Sequence, residues 1–222
     1  MRCLISLTLF AILALSGAHP ARADSATFFH LGPEVSTLGL GGEAGVRVND
    51  FLGIRVGGNY FETDFDASVA STDYDLDFTL QSAGAVIDVY PFGGGLRLSA
   101  GLRWNGNNID LSVTPTNSIA IGGTTFTAAE LGTLSGDLDF DDFAPLAGFG
   151  YEAGFLDDRL LLAFGAGVLF QGDPEVDLSA TGTLATDASL LAALQREEND
   201  IENDLEFLGF YPVLSLSLTF RF

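Results

Sequence analysis

Three groups of acidic residues repeat with a period of two and could act as metal ligands. They are Asp73, Asp75 and Asp77; Asp137, Asp139 and Asp141; and Asp173, Glu175 and Asp177. Residues two apart in an extended chain lie on the same side, so each group places three carboxylates on one face. Calcium prefers clustered carboxylate oxygens, but no group has the glycine and later glutamate of a calcium-binding loop. The pattern predicts an acidic vestibule, facing inward beyond one end of the strands, whose carboxylates are candidate ligands for a divalent cation; an acid excess of this kind is more commonly a solvated surface.

A second set of charges alternates with apolar residues along the chain. Its members are Glu34, Glu43, Arg47, Arg55, Arg97, Arg103, Glu152, Arg159 and Arg221. If these segments are strands, the charges share the face opposite to the apolar residues. Arginines in a confined interior need carboxylate partners. The pattern therefore predicts a salt-bridged network that fills a lumen, and a narrow polar pathway through the same charges is the alternative.

Residues suited to covalent or acid–base catalysis are scarce. Beyond residue 23 the chain has one histidine, His30, and no serine in a recognisable nucleophile setting. It has neither a phosphate-binding glycine loop nor a cysteine and histidine cluster for zinc. We predict no enzymatic activity, no catalytic residues and no cofactor apart from the divalent cation, and we interpret His30 as an inward polar filler.

The first 23 residues have the features of a secretory signal peptide. Arg2 gives a positive start, residues 4–15 are apolar, and Ala21-Arg22-Ala23 is a small-x-small cleavage site. We expect residues 24–222 to form one domain, without a disulfide or a lipid anchor, because the only cysteine is Cys3.

The charge balance excludes nucleic acid as a partner. Cleavage would remove Arg2 and Arg22 and leave seven basic residues against thirty acidic ones, a formal charge of −23, and the chain has no lysine. Nucleic-acid binding needs a basic face. No apolar run beyond the signal peptide approaches the roughly 18 residues of a transmembrane helix. The chain is therefore either a soluble periplasmic protein or a membrane-spanning β-barrel.

Alternation and turn residues predict eight strands. Their approximate bounds are 27–35, 40–48, 52–61, 75–90, 96–105 with an extension, 137–153, 159–178 and 207–222. Short turns alternate with long polar connections, which is typical of outer-membrane barrels with long loops outside the cell. Aromatic residues at the strand ends form two girdles: Phe51, Tyr90, Tyr151 and Phe222 at one end, and Tyr60, Trp104, Phe170 and Phe210 at the other.

Three local features interrupt this pattern. The alternation changes parity near residues 82–84 and 142–145, which predicts bulges, and Pro145 is the candidate for a lateral opening. Residues 187–206 have apolar positions at helical spacing, with Asp187 as the N-cap. We expect this amphipathic helix in the last extracellular loop, packing on other loops rather than on a partner.

The final strand resembles the C-terminal signal of outer-membrane barrels. It alternates polar and apolar residues from Ser215 onward and ends with aromatic residues at Phe220 and Phe222; Ser217 replaces the usual glycine. The resemblance implies recognition by the barrel-assembly machinery during biogenesis. Residues 90–101 and 170–180, the acidic helix and Tyr211-Pro-Val are also similar to an uncharacterised family of small proteobacterial outer-membrane barrels, of the eight-stranded OmpA/OmpX-like class. That resemblance brings no established activity or site residues.

We therefore predict an all-β protein, an eight-stranded antiparallel outer-membrane barrel with one short extracellular helix. The predicted function is a non-enzymatic structural or surface-interaction role, in a monomer that contacts lipid and lipopolysaccharide and meets an extracellular partner not identifiable from the sequence. A narrow channel or small-molecule conduit is the competing function. A soluble lipocalin-like barrel is the third alternative, and the apolar outward faces argue against it.

Overall fold

The computed structural model describes residues 19–20, 27–69 and 72–222. The strands, in chain order, are β1 (His19–Pro20), β2 (Phe28–Ser36), β3 (Gly39–Asn49), β4 (Leu52–Val69), β5 (Thr72–Val89), β6 (Leu96–Asn105), β7 (Asn108–Thr114), β8 (Ile119–Ile121), β9 (Thr124–Phe126), β10 (Leu134–Asp139), β11 (Phe143–Phe155), β12 (Leu160–Phe170), β13 (Glu175–Ala180) and β14 (Phe210–Arg221). The helices are α1 (Ala128–Leu131) and α2 (Ala188–Leu205). The predicted signal peptide lies outside the described residues, apart from β1, which pairs with β11.

Eight strands of the described chain form a closed antiparallel barrel, which confirms the predicted fold. The strands β2 to β6 pair in chain order, β6 pairs with β11, and β11, β12 and β14 follow. The barrel closes where β14 returns to β2, with Ser217 opposite Glu34 and Arg221 opposite His30. A closed wall leaves no unpaired backbone edge, the condition that a membrane imposes on β-structure.

Alternation along the strands separates a lipid-facing exterior from a polar interior. On the outer face Val56, Leu102 and Leu214 are each about half exposed, whereas the inward Arg97 and Glu152 are almost completely buried. Such an apolar exterior is unfavourable in water and is expected against acyl chains. The distribution therefore argues against the soluble lipocalin-like alternative. No helix in the described part of the chain is long and apolar enough to cross a membrane.

Aromatic side chains project outward near both ends of the barrel. Those exposed at the end with short turns include Phe51, Tyr151 and Phe222, and those at the other end include Tyr60, Trp104, Phe170 and Phe210. Tyr90 is an exception, because its side chain is buried and turns into the lumen rather than joining a girdle. The end with long connections is the extracellular one in bacterial outer-membrane barrels.

Several predicted strand limits were wrong at the extracellular end. The third strand continues to Val69 instead of ending at Phe61. The predicted sixth strand, 137–153, divides into β10 and β11, and the seventh, 159–178, divides into β12 and β13. The second break follows Gly172, whose φ of 79° is left-handed, and Pro174 cannot donate to a ladder.

The predicted bulges and lateral opening are not found at the expected positions. The pairing of β4 with β5 continues past residues 82–84 without a register shift. On its other side, β5 pairs with β6 up to Ser82 and with β7 from Thr79 outward. Pro145 pairs with Leu102 in a continuous β6–β11 register, so the ladder does not open at this proline. The irregularity between β3 and β4 falls between Arg47 and Asn49.

An extracellular sheet rises above the barrel. It consists of the upper ends of β4 and β5, followed by β7, β10 and β13. The hairpin β8–β9, α1 and α2 pack against it through an apolar core containing Ile121, Phe126, Leu131, Leu190 and Leu194. We call this five-stranded unit the extracellular sheet below.

The last loop contains the predicted amphipathic helix. Asp187 is its N-cap, and its carboxylate accepts a hydrogen bond of 2.8 Å from the backbone N–H of Ser189. The buried face of α2 carries Leu190, Ala193 and Leu194, which pack on the β8–β9 hairpin and on Leu131. The helix thus packs on other loops, as expected.

Candidate functional site

Arg55 is the centre of a buried ion-pair layer in the lumen. Its Nη1 lies 2.7 Å from Glu43 Oε2, and its Nε lies 2.6 Å from Asp88 Oδ2. Ser217 donates to the other Glu43 oxygen at 2.7 Å, and Ser99 donates to Asp88. All four partners come from different strands, so this layer connects β3, β4, β5, β6 and β14 across the barrel.

A second group lies nearer the end with short turns. Arg97 Nη1 and the hydroxyl of Tyr90 both donate to Glu152 Oε1, at 2.5 and 3.0 Å. The guanidinium of Arg47 stacks 3.7 Å from the Tyr90 ring centroid, and its Nη2 donates to the backbone carbonyl of Gly94 at 3.0 Å. Arg47 is thus held by an aromatic ring and carbonyl groups rather than by a carboxylate.

The third group lies towards the extracellular end. Arg103 Nη2 donates to Asn59 Oδ1 at 2.7 Å and to Ser82 Oγ at 2.9 Å. Asn59 in turn donates to Glu34 Oε1 at 3.0 Å, so a neutral amide links this cation to a carboxylate.

Glycines give the arginines room to lie across the lumen. A Cβ added at Gly150 would lie 2.8 Å from Arg97 Nε, closer than ordinary contacts allow. Gly148, Gly165 and Gly167 line the same wall beside a cavity of about 60 Å³, which Arg55, Arg97, Arg103, Glu34 and Glu43 also border. A volume of this order holds several waters.

Packed apolar side chains lie on either side of this cavity along the barrel axis. Leu38, from the β2–β3 turn, packs with Ala144, Leu169 and Val213 at the extracellular end. Phe28 and Leu161 pack together at the other end. The described lumen is therefore a filled interior with a small cavity and not a wide pore.

Two of the predicted lumen charges lie elsewhere. Arg159 is exposed in the turn between β11 and β12, because the strand begins one residue later, so its assignment to the lumen was wrong. Arg221 is at the rim, 4.0 Å from Asp158 and stacked on the ring of Phe28. His30 is buried in the lumen, and the aromatic residues of the assembly signal, Phe220 and Phe222, are exposed.

The sequence prediction missed several partners in the lumen. Asp88, Tyr90, Asn59, Ser82 and Ser99 all hydrogen-bond to arginines or their carboxylates. Asp88 alternates with Ser82, Gly84 and Val86 on the inward face of β5, and this alternation is the signal that could have found it.

Six of the nine predicted acidic residues lie on the outward face of the extracellular sheet, contrary to the predicted inward vestibule: Asp75, Asp77, Asp137, Asp139, Glu175 and Asp177. Tyr60 faces outward at the extracellular end of the barrel and hydrogen-bonds to Glu62. Because alternate residues of a strand share a side, Asp64, four residues after Tyr60 in β4, also faces outward. The opposite face of the sheet, which continues the inward side of the barrel strands, is apolar, with Leu138 and Val176 buried. This apolar face packs against the β8–β9 hairpin and the helices. The acids on the other face therefore point away from the barrel axis.

Register brings five aspartates into one row across the sheet. Asp64 is opposite Asp77, Asp77 opposite Asp110, Asp110 opposite Asp137, and Asp137 opposite Asp177. The next row on one side contains Asp139 opposite Glu175, and the next row on the other side contains Asp75 opposite Ser112. Asp173 and Asp141 are exposed in the breaks beside the sheet, and Asp73 lies at a position in β5 opposite Thr114. We call this surface the acidic face.

The acidic face has no ready-made metal site within the described residues. No three Asp, Glu, His or Cys side chains there converge closely enough to hold an ion. Like charges directly opposite each other destabilise a sheet. A hydrogen bond with Asp137, together with burial and the nearby carboxylates, raises the pKa of Asp110 to about 6.

The raised pKa of Asp110 gives a pH-dependent contribution to the stability of the extracellular sheet. The folded-state pKa lies above the ordinary aspartate value of 3.8, so the contribution is fully present below pH 3.8 and is lost as the pH rises through about 6. We expect hydrogen exchange of the β7 amides, corrected for its intrinsic pH dependence, to be slower at pH 5 than at pH 7.5. Asp110→Asn should slow exchange at pH 7.5 and remove most of the pH dependence, whereas Asp75→Asn should keep it.

Solved structures similar to this chain include two from Acinetobacter baumannii. The crystal structure of CarO2 gives a TM-score of 0.59 and 24% identity, over 92% of this chain and 99% of that one. CarO gives 0.57 and 25%, over 87% and 97%. A major outer membrane protein from Thermus thermophilus gives 0.44 and 14%, over 89% and 100%. No protein-family model and no curated protein sequence matches the chain.

The closed wall, the lipid-facing exterior and the similarity to CarO define the class of this protein. It is a small eight-stranded outer-membrane β-barrel protein, located in the outer membrane.

Proposed function

We propose that this chain is a non-enzymatic surface protein with a sealed lumen, which acts through its extracellular sheet. The observation that carries the proposal is the packing of the lumen: an apolar cluster around Leu38 lies above the ion-pair layer formed by Arg55, Glu43 and Asp88. Water and ions would have to break buried ion pairs to pass. The part of the chain free to meet a partner is then the extracellular sheet and its helix.

Single-channel recording of the refolded protein in a planar bilayer tests the sealed lumen. We expect no conductance above the lipid background across voltage and salt, because the cavity is only about 60 Å³ and apolar clusters around Leu38 and Phe28 flank it. A heat-dependent shift in gel migration confirms that the inserted protein is folded. Steady openings would favour the competing function, a narrow channel, for which this cavity between Arg55, Arg97 and Arg103 is the supporting observation.

We further propose that the acidic face acts in envelope interaction, with divalent ions held between its carboxylates and lipopolysaccharide phosphates. The row from Asp64 to Asp177 begins on β4 four residues beyond Tyr60, an outward aromatic residue of the kind that lies at the membrane interface. Divalent ions shared with phosphates would relieve the repulsion within this row. The ions are diffuse counter-ions in this proposal, not ligands of a coordinated site.

Removal of divalent ions tests this envelope interaction. In bilayers containing lipopolysaccharide, EDTA should lower the thermal stability of the protein, and replacement of Asp110, Asp137 and Asp177 by asparagine should remove the effect. Asp157→Asn, in the turn at the opposite end of the barrel, is the matched control. An unchanged stability with EDTA in the unmodified protein would refute the role of the ions.

A further inference from the structure

The extracellular sheet has two outer edges, and the chain protects one of them. At the β13 edge, Glu202 accepts a hydrogen bond of 3.1 Å from the backbone N–H of Val176, and Glu198 accepts one of 2.9 Å from that of Leu178. Both glutamates come from α2, which lies alongside the strand. The glutamate side chains thus accept hydrogen bonds from backbone N–H groups of β13 that could otherwise pair with another strand.

The opposite edge, formed by β4, has no such cover in the described residues. β4 pairs with β5 along its whole length, from Leu52 to Val69, but it pairs with β3 only as far as Tyr60. Beyond Tyr60 no described strand lies on its outer side. The β4 edge is therefore a template for an added strand, the geometry of β-strand addition.

The backbone direction along β4 identifies the residues that would pair with an incoming strand. The carbonyl of Tyr60 faces β3, since a Cβ added at Gly39 would lie 2.5 Å from its oxygen. N–H and C=O groups of alternate residues point to the same side of a strand. Glu62 and Asp64 therefore direct their backbone groups to the open side.

The side chains of this edge select the chemistry of the occupant. Glu62 and Asp64 are exposed on the acidic face, and Phe61 and Phe65 are 42% and 57% exposed on the other face. An added strand would place one set of its side chains beside the carboxylates and the alternate set beside the phenylalanines. A second copy of this edge would bring acids against acids, which disfavours self-association.

We propose that the outer edge of β4, residues 61–65, accepts an extended segment of another protein in which basic and apolar residues alternate. The segment becomes a sixth strand of the extracellular sheet and extends the acidic rows with cations. This inference rests on the proposed surface-interaction function, but it needs neither divalent ions nor lipopolysaccharide.

A peptide of alternating lysine and valine, labelled with fluorescein, is the probe. Its binding to the refolded full chain is measured by fluorescence anisotropy in a zwitterionic detergent with EDTA present. Asp64→Pro removes one N–H from the open edge and leaves the β5 side of the strand paired. We expect this variant to weaken binding about tenfold or more, through loss of a ladder hydrogen bond and of a charge pair.

Two controls separate strand addition from general attraction to the acidic face. Asp177→Lys changes the same row at the protected edge and should alter binding by less than about twofold, since exposed charge pairs contribute little. A peptide with N-methyl groups at alternate residues tests the ladder on the unmodified protein and should not bind.

Strand addition is overturned if the peptide does not bind, if the methylated peptide binds equally well, or if Asp177→Lys weakens binding as much as Asp64→Pro. A channel-forming protein that still binds the peptide would instead refute the sealed lumen alone.

Discussion

Replacing Asp88 with alanine is expected to lower the free energy of unfolding by about 3–5 kcal/mol, the cost of removing one partner of a buried ion pair. The Asp88 side chain is completely buried, and its oxygens lie 2.6 and 3.2 Å from Arg55 Nε and Nη2. Without Asp88, Arg55 keeps only Glu43, and the Ser99 hydroxyl loses its acceptor. Urea unfolding in detergent micelles, followed by the fluorescence of Trp104, measures the change.

The exposed ion pair at the rim provides the matched control. Asp158 lies 4.0 Å from Arg221, and both side chains are partly exposed. Asp158→Asn removes the charge but keeps a residue type that tolerates the left-handed φ of 59° at this position, so it should cost less than about 1 kcal/mol. Equal losses for the two variants would contradict the view that the Arg55 layer is a main source of barrel stability, and a near-normal Asp88→Asn would show that shape and hydrogen bonding matter there more than charge.

The barrel was predictable because period-two alternation depends on the chain's own residues. Leu98 and Leu102 face lipid, and Arg97 and Arg103 face the lumen, as the sequence of β6 alone requires. The helix was predictable for the same reason, since Asp187 and the residues that follow it are local signals.

The ion-pair partners were not predictable because they depend on register between distant strands. Arg55 and Asp88 are 33 positions apart, and a shift of one residue would have moved Asp88 to the lipid face. Tyr90 is a different case: it has the same parity as Asp88, so alternation along β5 already places it inward, where the guanidinium of Arg47 stacks on its ring.

The direction of the acidic face could be read from spacing in only one of the three groups, because β5 continues without a register shift from the barrel and its alternation places Asp75 and Asp77 outward. The spacing of the other two groups predicts only that their members share a side. Which side they take depends on α2 and the β8–β9 hairpin, which form an apolar core with Leu134 and Leu178 of the sheet. The breaks after β10 and β12 separate the outer parts of the predicted sixth and seventh strands, which are β10 and β13, from the barrel. The alternation within the barrel therefore does not determine which side the residues of β10 and β13 face.

The apolar closure at the extracellular end is expected to depend on Leu38. This side chain is 1% exposed, and the turn that carries it is fixed to β14: Thr37 Oγ1 donates to the carbonyl of Pro212 at 2.8 Å, and the Tyr211 hydroxyl donates to the carbonyl of Thr37 at 2.7 Å. Because these bonds prevent the turn from collapsing into the space, Leu38→Ala should leave a cavity and cost about 2–5 kcal/mol.

Leu40→Ala is the control that separates the loss of internal packing at Leu38 from the general effect of replacing a leucine with alanine. Leu40 belongs to the same hairpin but is 63% exposed on the lipid-facing side, so Leu40→Ala creates no internal cavity and should cost less in the same urea titration. Leu38→Ala should nevertheless stay silent in a bilayer, because the Arg55 and Arg97 ion pairs still close the lumen below it. Conductance should appear only when Leu38→Ala is combined with Arg97→Ala, and openings in the Leu38 variant alone would mean that the apolar cluster, not the ion pairs, closes the barrel.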